Sequence, residues 1–338
     1  MTEPSVNRAL RVHPPAAAAL SDLPFPRPRP GEVLVRPRAV GLCGTDLELI
    51  DGVVDPAYVR YPLVLGHEWS GVVESTGPGV TGFTPGDHVV GEGIVPCGHC
   101  APCRSGATNL CETYDEFGFT RDGAAADAII VPAVLLHRLA GTVDLAEAAL
   151  VEPASVVLRA LRRAVPAPGI RALVVGDGTI GLLSAHLLGL WSPAVVDMVG
   201  RRPAQEPLAE AAGVSAFLLE PPAGNYDLVV EAAGVPESVE AAVEAAGRGG
   251  TVVLLGLAGH GRTAALPIDD LVNKDLSVLG SFAYTSSAWR NVVSLLNAGR
   301  IAPGFLITHR YPLTEAEKAI DTLRRSTGAR GKIMLEIP

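Results

Sequence analysis

Lysine is almost missing from this chain of 338 residues. Lys274, Lys318 and Lys332 are all there is, and arginine supplies the rest of the 27 basic side chains. Acidic residues outnumber them and leave a formal net charge of −9. Nucleic acid and anionic membrane surfaces are therefore not expected as main partners, because both demand a basic face. No apolar run approaches the roughly 20 residues that a membrane span needs. A basic start followed by an apolar stretch is also lacking at the N-terminus, so no secretory signal is read there. Disulfides are a poor prospect too. Four of the five cysteines crowd between Cys97 and Cys111, and without an export signal such clustering points to a metal site in a reducing cytoplasm.

What is present describes a compact protein with many turns, since 37 glycines and 28 prolines punctuate a chain that is 48% apolar. Its length exceeds one ordinary core, so two domains are expected. Up to about residue 150 the texture is short strands (33–36 and 71–74 among them) separated by Gly- and Pro-rich turns, which suits a barrel-like β domain. Strands and helices then alternate: strands at 171–176, 194–200, 226–234 and 250–256, helices at 178–190 and 207–213, and another helix before the last of those strands. Such alternation implies a parallel sheet covered on both faces. A helical stretch from Ala288 to Leu296, a helix near 314–323 and a final strand GKIMLEI complete the chain.

Gly176-Asp177-Gly178-Thr179-Ile180-Gly181 follows a strand and opens a helix. In that setting the first glycine permits the tight turn and the second lets backbone approach a pyrophosphate. The third allows close helix–strand packing, and the helix N-terminus attracts the anion. A dinucleotide site is expected. The end of the next strand chooses between cofactors, and it reads Gly200-Arg201-Arg202 where an NAD enzyme places an acid. NADP is favoured, with guanidinium groups available to a 2′-phosphate. NAD is the alternative, in which case these are two solvated arginines of an arginine-rich protein. Asp197, the nearest acid, falls three residues early and points into the strand.

Cys97, Cys100, Cys103 and Cys111 offer four thiolates at x2, x2 and x7 spacing within one loop. Four thiolates close a tetrahedron around zinc and leave no position for substrate, so the expected role is structural. Cys43 and His67, taken singly, read equally well as a buried apolar cysteine and an ordinary loop histidine.

Together these residues resemble something specific. GLCGTD (41–46), GHE (66–68), GDHV (86–89), the cysteine loop, Glu152-Pro153 and GDGTIG occur in the order found in the zinc-dependent medium-chain alcohol and polyol dehydrogenases, across essentially the whole chain. That resemblance implies an α/β protein: a GroES-like β-barrel catalytic domain (1–153 and 290–338) and a Rossmann domain with a doubly wound parallel sheet (154–289), the active site lying between them. It implies two Zn2+ per chain. Cys43, His67 and Glu152 become ligands of a catalytic zinc, as in the sorbitol-dehydrogenase-like branch, and Glu68 a carboxylate that exchanges with its water. Asp46 orients His67, Thr45 takes the substrate proton, and Glu48 stands where many relatives end the proton relay with a histidine. Lewis-acid activation of an alcohol and hydride transfer to nicotinamide would follow.

The implied substrate is a small polar alcohol or ketone of polyol or cyclitol type. Aminocyclitols, amino alcohols such as threonine and simple secondary alcohols are alternatives, and a non-catalytic cofactor binder is the competing class. A homodimer or homotetramer is implied, built through an edge strand of the Rossmann sheet. Phe119 is either a pocket aromatic or core. His13, His88, His99, His137, His186, His260 and His309 are expected to be structural.

Overall fold

The computed structural model describes residues 5–13, 17–222, 224–259 and 261–338. His260 lies outside them. The chain splits into two compact units, Met1–Glu152 with Thr285–Ser326 and Lys332–Pro338, and Pro153–Tyr284 with Thr327–Gly331.

The first unit holds β1 (Val6–His13), β2 (Ala17–Pro24), β3 (Glu32–Leu42), β4 (Leu63–Val64), β5 (Glu68–Thr76), β6 (His88–Gly91), β7 (Ile129–Pro132) and β8 (Leu136–Arg138). The second holds β9 (Arg171–Val175), β10 (Val195–Val199), β11 (Ala216–Leu218), β12 (Tyr226–Glu231), β13 (Ala246–Leu254) and β14 (Ser277–Gly280). β15 (Ile307–Pro312) and β16 (Lys332–Glu336) return to the first.

In the first unit a three-stranded sheet runs β2-β1-β4. A seven-stranded sheet runs β15-β16-β3-β5-β6-β8, with β7 also on β3. Their shared core gathers Leu10, Val40, Leu49, Leu63, Trp69 and Ile333, all within 1% of full burial. Strands expected at 33–36 and 71–74 prove to be parts of longer ones, the first near the start of β3 and the second in the middle of β5. Pro37 sits inside β3, where the register against β5 slips between Leu34 and Val35 and again between Pro37 and Ala39. Such bulges let a strand carry a proline that sequence reading takes as its end. The extra length matters, because β3 runs on to the residue before Cys43 and β5 begins at Glu68.

In the second unit six parallel strands stand in the order β11-β10-β9-β12-β13-β14, the 3-2-1-4-5-6 order of a dinucleotide-binding sheet. The central β9 is buried at four of its five positions, as a strand covered on both faces must be. Sequence reading passed over β11 and β14, three and four residues long. It also missed the 14-residue helix Val151–Ala164. Pro153 hid that helix, yet it occupies the first turn, where the missing N–H costs nothing. Among the described residues no helix is long and apolar enough to cross a membrane.

Candidate active site and metal centres

Cys43 stands between the end of β3 and the helix Gly44–Asp51. Its N–H donates to Asp46 Oδ2 at 2.8 Å, so Asp46 satisfies a donor that the helix start would leave open. Gly52, at φ 69°, closes the other end by donating to the carbonyls of Glu48 and Leu49. A short, doubly capped helix thus holds Cys43 fixed at the end of an interior strand.

His67 directly precedes β5. Its Nε2 lies 3.2 Å from Cys43 Sγ. Its Nδ1 faces Asp46 Oδ1 at 3.6 Å, too long for a hydrogen bond. Both of those atoms are buried and lack a partner. Burial opposes a proton on His67, but Cys43 and Asp46 outweigh it and hold the imidazole well above its ordinary pKa. Ligand atoms of Cys43, Asp46 and His67 all lie within 4.8 Å of one another. A thiol and an imidazole that converge among buried carboxyls suit a divalent cation, and the donor set fits zinc.

Glu68 is the next residue, and the structure adds a partner that sequence reading did not supply. Lys332 Nζ lies 2.7 Å from Oε1 and 2.6 Å from Oε2 of Glu68, with both side chains almost wholly buried. Burial works against the ammonium charge, yet Glu68 and Cys43 overrule it and raise the Lys332 pKa. Gly41 pairs with Glu68 across the sheet, and a Cβ there would lie 2.3 Å from Glu68 Oε2 and 3.2 Å from Lys332 Cδ. The ion pair therefore fills room that only glycine leaves. Glu152, second residue of the helix Val151–Ala164, falls outside the tight group of three. Its carboxyl is pushed up to about 8, first by burial and then by the charge of Glu68, with His67 pulling the other way. Thr45 is half-buried and Glu48 exposed on the helix after Cys43. The Phe119 ring packs 5.2 Å from His67. Glu116, a buried carboxyl that feels the charge of His67, accepts the Tyr114 hydroxyl.

The thiols of Cys97, Cys100, Cys103 and Cys111 also lie within 4.8 Å of one another. Backbone N–H groups point at the sulfurs, from Cys97 to Cys111 at 3.3 Å and from Cys100 to Cys97 at 3.4 Å. The N–H groups of Cys100 and then His99 bring the Cys97 thiol down to about 6, so a thiolate forms readily. His99 turns its Nδ1 to the Cys97 carbonyl at 2.9 Å, away from the sulfurs. Four converging sulfurs fit a closed zinc site.

In the second unit the glycine loop separates two kinds of necessity. Gly176 has φ +123°, and a Cβ there would meet the Ala232 carbonyl carbon at 2.8 Å. At Gly181 a Cβ would lie 1.9 Å from the Gly176 oxygen. Packing within the protein requires both. Gly178, just before the helix Thr179–Leu188, would meet nothing within 4 Å. Open room over a helix N-terminus is what a pyrophosphate needs. Past β10, the two arginines are not equivalent. Arg202 is half-buried and its Nη2 pairs with Asp177 Oδ1 at 2.9 Å, whereas the side chain of Arg201 is exposed. Asp177 also accepts both backbone N–H groups at 3.1 Å. Asp197 stays in its strand, bound to the Tyr226 hydroxyl at 2.8 Å.

Residues 29–141 match the alcohol dehydrogenase GroES-like domain, and residues 184–298 the zinc-binding dehydrogenase domain. Sorbitol dehydrogenase of Gallus gallus is 34% identical over 98% of this chain and 96% of its own. D-xylulose reductase A of Aspergillus oryzae is 33% identical over 91% and 90%. A zinc-binding dehydrogenase of Sinorhizobium meliloti, solved with NADP bound, superposes with a TM-score of 0.92 at 30% identity, covering 98% of this chain and all of that one. The chain belongs to the zinc-dependent medium-chain alcohol and polyol dehydrogenases.

This dehydrogenase acts on CH–OH groups. Its other histidines are mostly occupied with structure: His137 Nε2 meets Glu92 at 2.9 Å and His309 Nδ1 meets Thr308 at 2.8 Å. His88 differs, since its buried Nδ1 has no hydrogen-bond partner where one was expected. Lys332, Glu116 and Tyr114 are the site residues that sequence reading missed. For Lys332 a signal existed, a rare lysine directly before three apolar residues of a strand.

Proposed function

We propose that this dehydrogenase interconverts a secondary alcohol and a ketone on a polyol or cyclitol-type substrate with NADP(H). The observation that carries the reading is the convergence of Cys43 and His67 beside the buried Glu68–Lys332 pair. Cys43, His67 and Glu152 would hold a zinc ion, with Glu68 next to them. Bound there, zinc supplies Lewis-acid polarisation of the substrate oxygen, and the nicotinamide exchanges the hydride. Asp46 faces the Nδ1 side of the His67 ring and would orient it through its charge. Thr45, two residues beyond Cys43, receives the substrate proton and passes it toward Glu48, whose exposure lets the proton leave to water. The four-cysteine loop holds a second, structural zinc. Gly176, Gly178, Thr179, Ile180 and Gly181 would hold the pyrophosphate of the cofactor, and Gly200, Arg201 and Arg202 would bind at its adenosine ribose.

Two copies would join along β14. It ends the six-stranded sheet, and the segments around it expose Leu257, Ile268, Val272 and Phe282 at 50–80%. An open strand edge ringed by apolar side chains is a pairing surface.

The test is nicotinamide absorbance with NADP and NAD in parallel, over simple alcohols, sugar alcohols, cyclitols, aminocyclitols and threonine. Turnover of one polyol class with NADP is the expected result. Turnover with NAD alone would sink the cofactor reading and keep the zinc chemistry. Turnover confined to simple alcohols would sink the substrate reading.

A further inference from the structure

Glu68 and Lys332 leave different strands and meet over one glycine. Gly41 pairs with Glu68 on one side and with Met334 on the other. Side chains directly opposite one another share a face, and so do residues two apart along a strand. Lys332, two positions before Met334, therefore leaves β16 on the face from which Glu68 leaves β5. Cys43, two positions after Gly41 and still extended at φ −128° and ψ 177°, follows on that face and comes opposite Lys332. A Cβ on Gly41 would stand 3.3 Å from Glu68 Cβ and 3.2 Å from Lys332 Cδ, so both side chains cross above it.

The contact is lopsided. Lys332 Nζ donates to Glu68 Oε1 at 2.7 Å, whereas Oε2, 2.6 Å away and buried, accepts no hydrogen bond. A buried ion pair recovers its desolvation cost only with excellent geometry, and apolar residues of similar volume are often as stable in its place. Stability alone is a poor reason for this one. Glu68 follows His67 directly, yet it stands outside the group that Cys43, Asp46 and His67 form. A dication held by Cys43 and His67 would attract the Glu68 carboxylate, a good oxygen ligand, and the ammonium competes for it. A catalytic zinc keeps one position free of protein ligands, and a further carboxylate would take it.

We infer that Lys332 is a positioning residue: it holds Glu68 off the metal bound by Cys43, His67 and Glu152, and so keeps one coordination position open for substrate. The inference rests on the zinc reading above.

Cobalt(II) in place of zinc reports its own coordination through its absorbance. Spectra of the full chain minus those of Cys43→Ala isolate this site from the cysteine loop. Competition with a chelator gives the metal Kd, and imidazole titrated into the cobalt protein reads whether a position is open. In the wild type imidazole should shift the bands. Lys332→Met should bind the metal about tenfold tighter and imidazole about tenfold more weakly, because Glu68, stranded in the metal-free variant, joins the metal. Adding Glu68→Gln should return both constants to within about twofold of wild type. Lys332→Arg, which keeps the charge, should stay near wild type. If the methionine variant folds poorly, Lys332→Gln keeps a hydrogen-bond donor without the charge and carries the same comparison. Loss of a merely structural contact would loosen the site and weaken the metal. Unchanged or weaker metal binding in the uncharged variants, or wild-type bands that ignore imidazole, therefore overturns the role of Lys332 and leaves the zinc reading standing. A wild type without Cys43-dependent bands overturns both.

Discussion

The two candidate metal-ligand groups of the first unit are built in opposite ways. In the cysteine loop the outermost ligands are 14 positions apart, and the loop's own N–H groups aim at the sulfurs. Around Cys43 the parts come from β3, from the residue before β5, from the helix at Val151 and from the last strand. The Glu68–Lys332 contact alone spans 264 positions. A local cage depends on its metal to keep a loop folded, because it has little apolar surface of its own. A cage assembled by sheets is held by the sheets, and its metal is free to serve chemistry. Removing zinc should therefore cost structure at one site and rate at the other.

The largest expected effect is on rate. Cys43→Ala should lower kcat/KM about a thousandfold, the loss of several kcal/mol of oxygen polarisation. Metal analysis should find one zinc per chain, and the melting temperature should stay within about 3 °C. Two zincs with near-normal turnover would show that Cys43 is a packing residue after all.

Lys332→Met comes next and probes why the fold-assembled cage stays in shape. It strands the Glu68 carboxylate in a buried place, at a cost of about 3 kcal/mol or more. Lys332→Met with Glu68→Gln should recover most of that, since removing both charges leaves no uncompensated ion. Additive losses in that cycle would mean that the two side chains do not act as a pair. Cys100→Ser is the mirror case: one zinc lost, about 2 kcal/mol of stability gone and a melting temperature roughly 5 °C lower. kcat should survive in the fraction still folded. Full zinc content with an unchanged melting temperature would remove the structural assignment.

The same contrast explains what was legible in the sequence. Motifs written in consecutive residues could be read with their purpose: the cysteine spacing, and the glycine loop with its strand before and helix after. Gly176 and Gly181 answer to packing and Gly178 to open room, a division that the letters alone do not reveal. Cys43 and His67 became candidate ligands only through resemblance, because nothing in a lone cysteine and a lone histidine says that β3 and β5 will set them 3.2 Å apart. Lys332 could not be placed without the sheet that pairs β16 with β3. Arg201 and Arg202 looked alike until Asp177 claimed one of them. Elements were missed or cut short where they ran against local propensity: a helix with a proline in its first turn was missed, a strand bulged around another proline was cut short, and edge strands too short to show a period were missed.

Glu48→Gln should have the smallest effect and tests whether the proton path follows the helix after Cys43. Glu48 is exposed there, five residues beyond Cys43. A carboxylate at the end of a relay receives the proton during alcohol oxidation and returns it during ketone reduction, so amide replacement removes that capacity without changing the helix. Positioned acid–base groups contribute about a hundredfold when proton transfer limits the rate, and much less when water can replace them. An exposed site favours replacement, so kcat should fall only about fivefold, and the kcat–pH profiles of the two proteins should differ. Exogenous small carboxylates should restore part of the rate in the Gln variant and leave the wild type unchanged. If the two profiles coincide and added carboxylate does nothing, the proton leaves from Thr45 by water alone, and the fold-assembled site would then owe its chemistry only to residues buried within it.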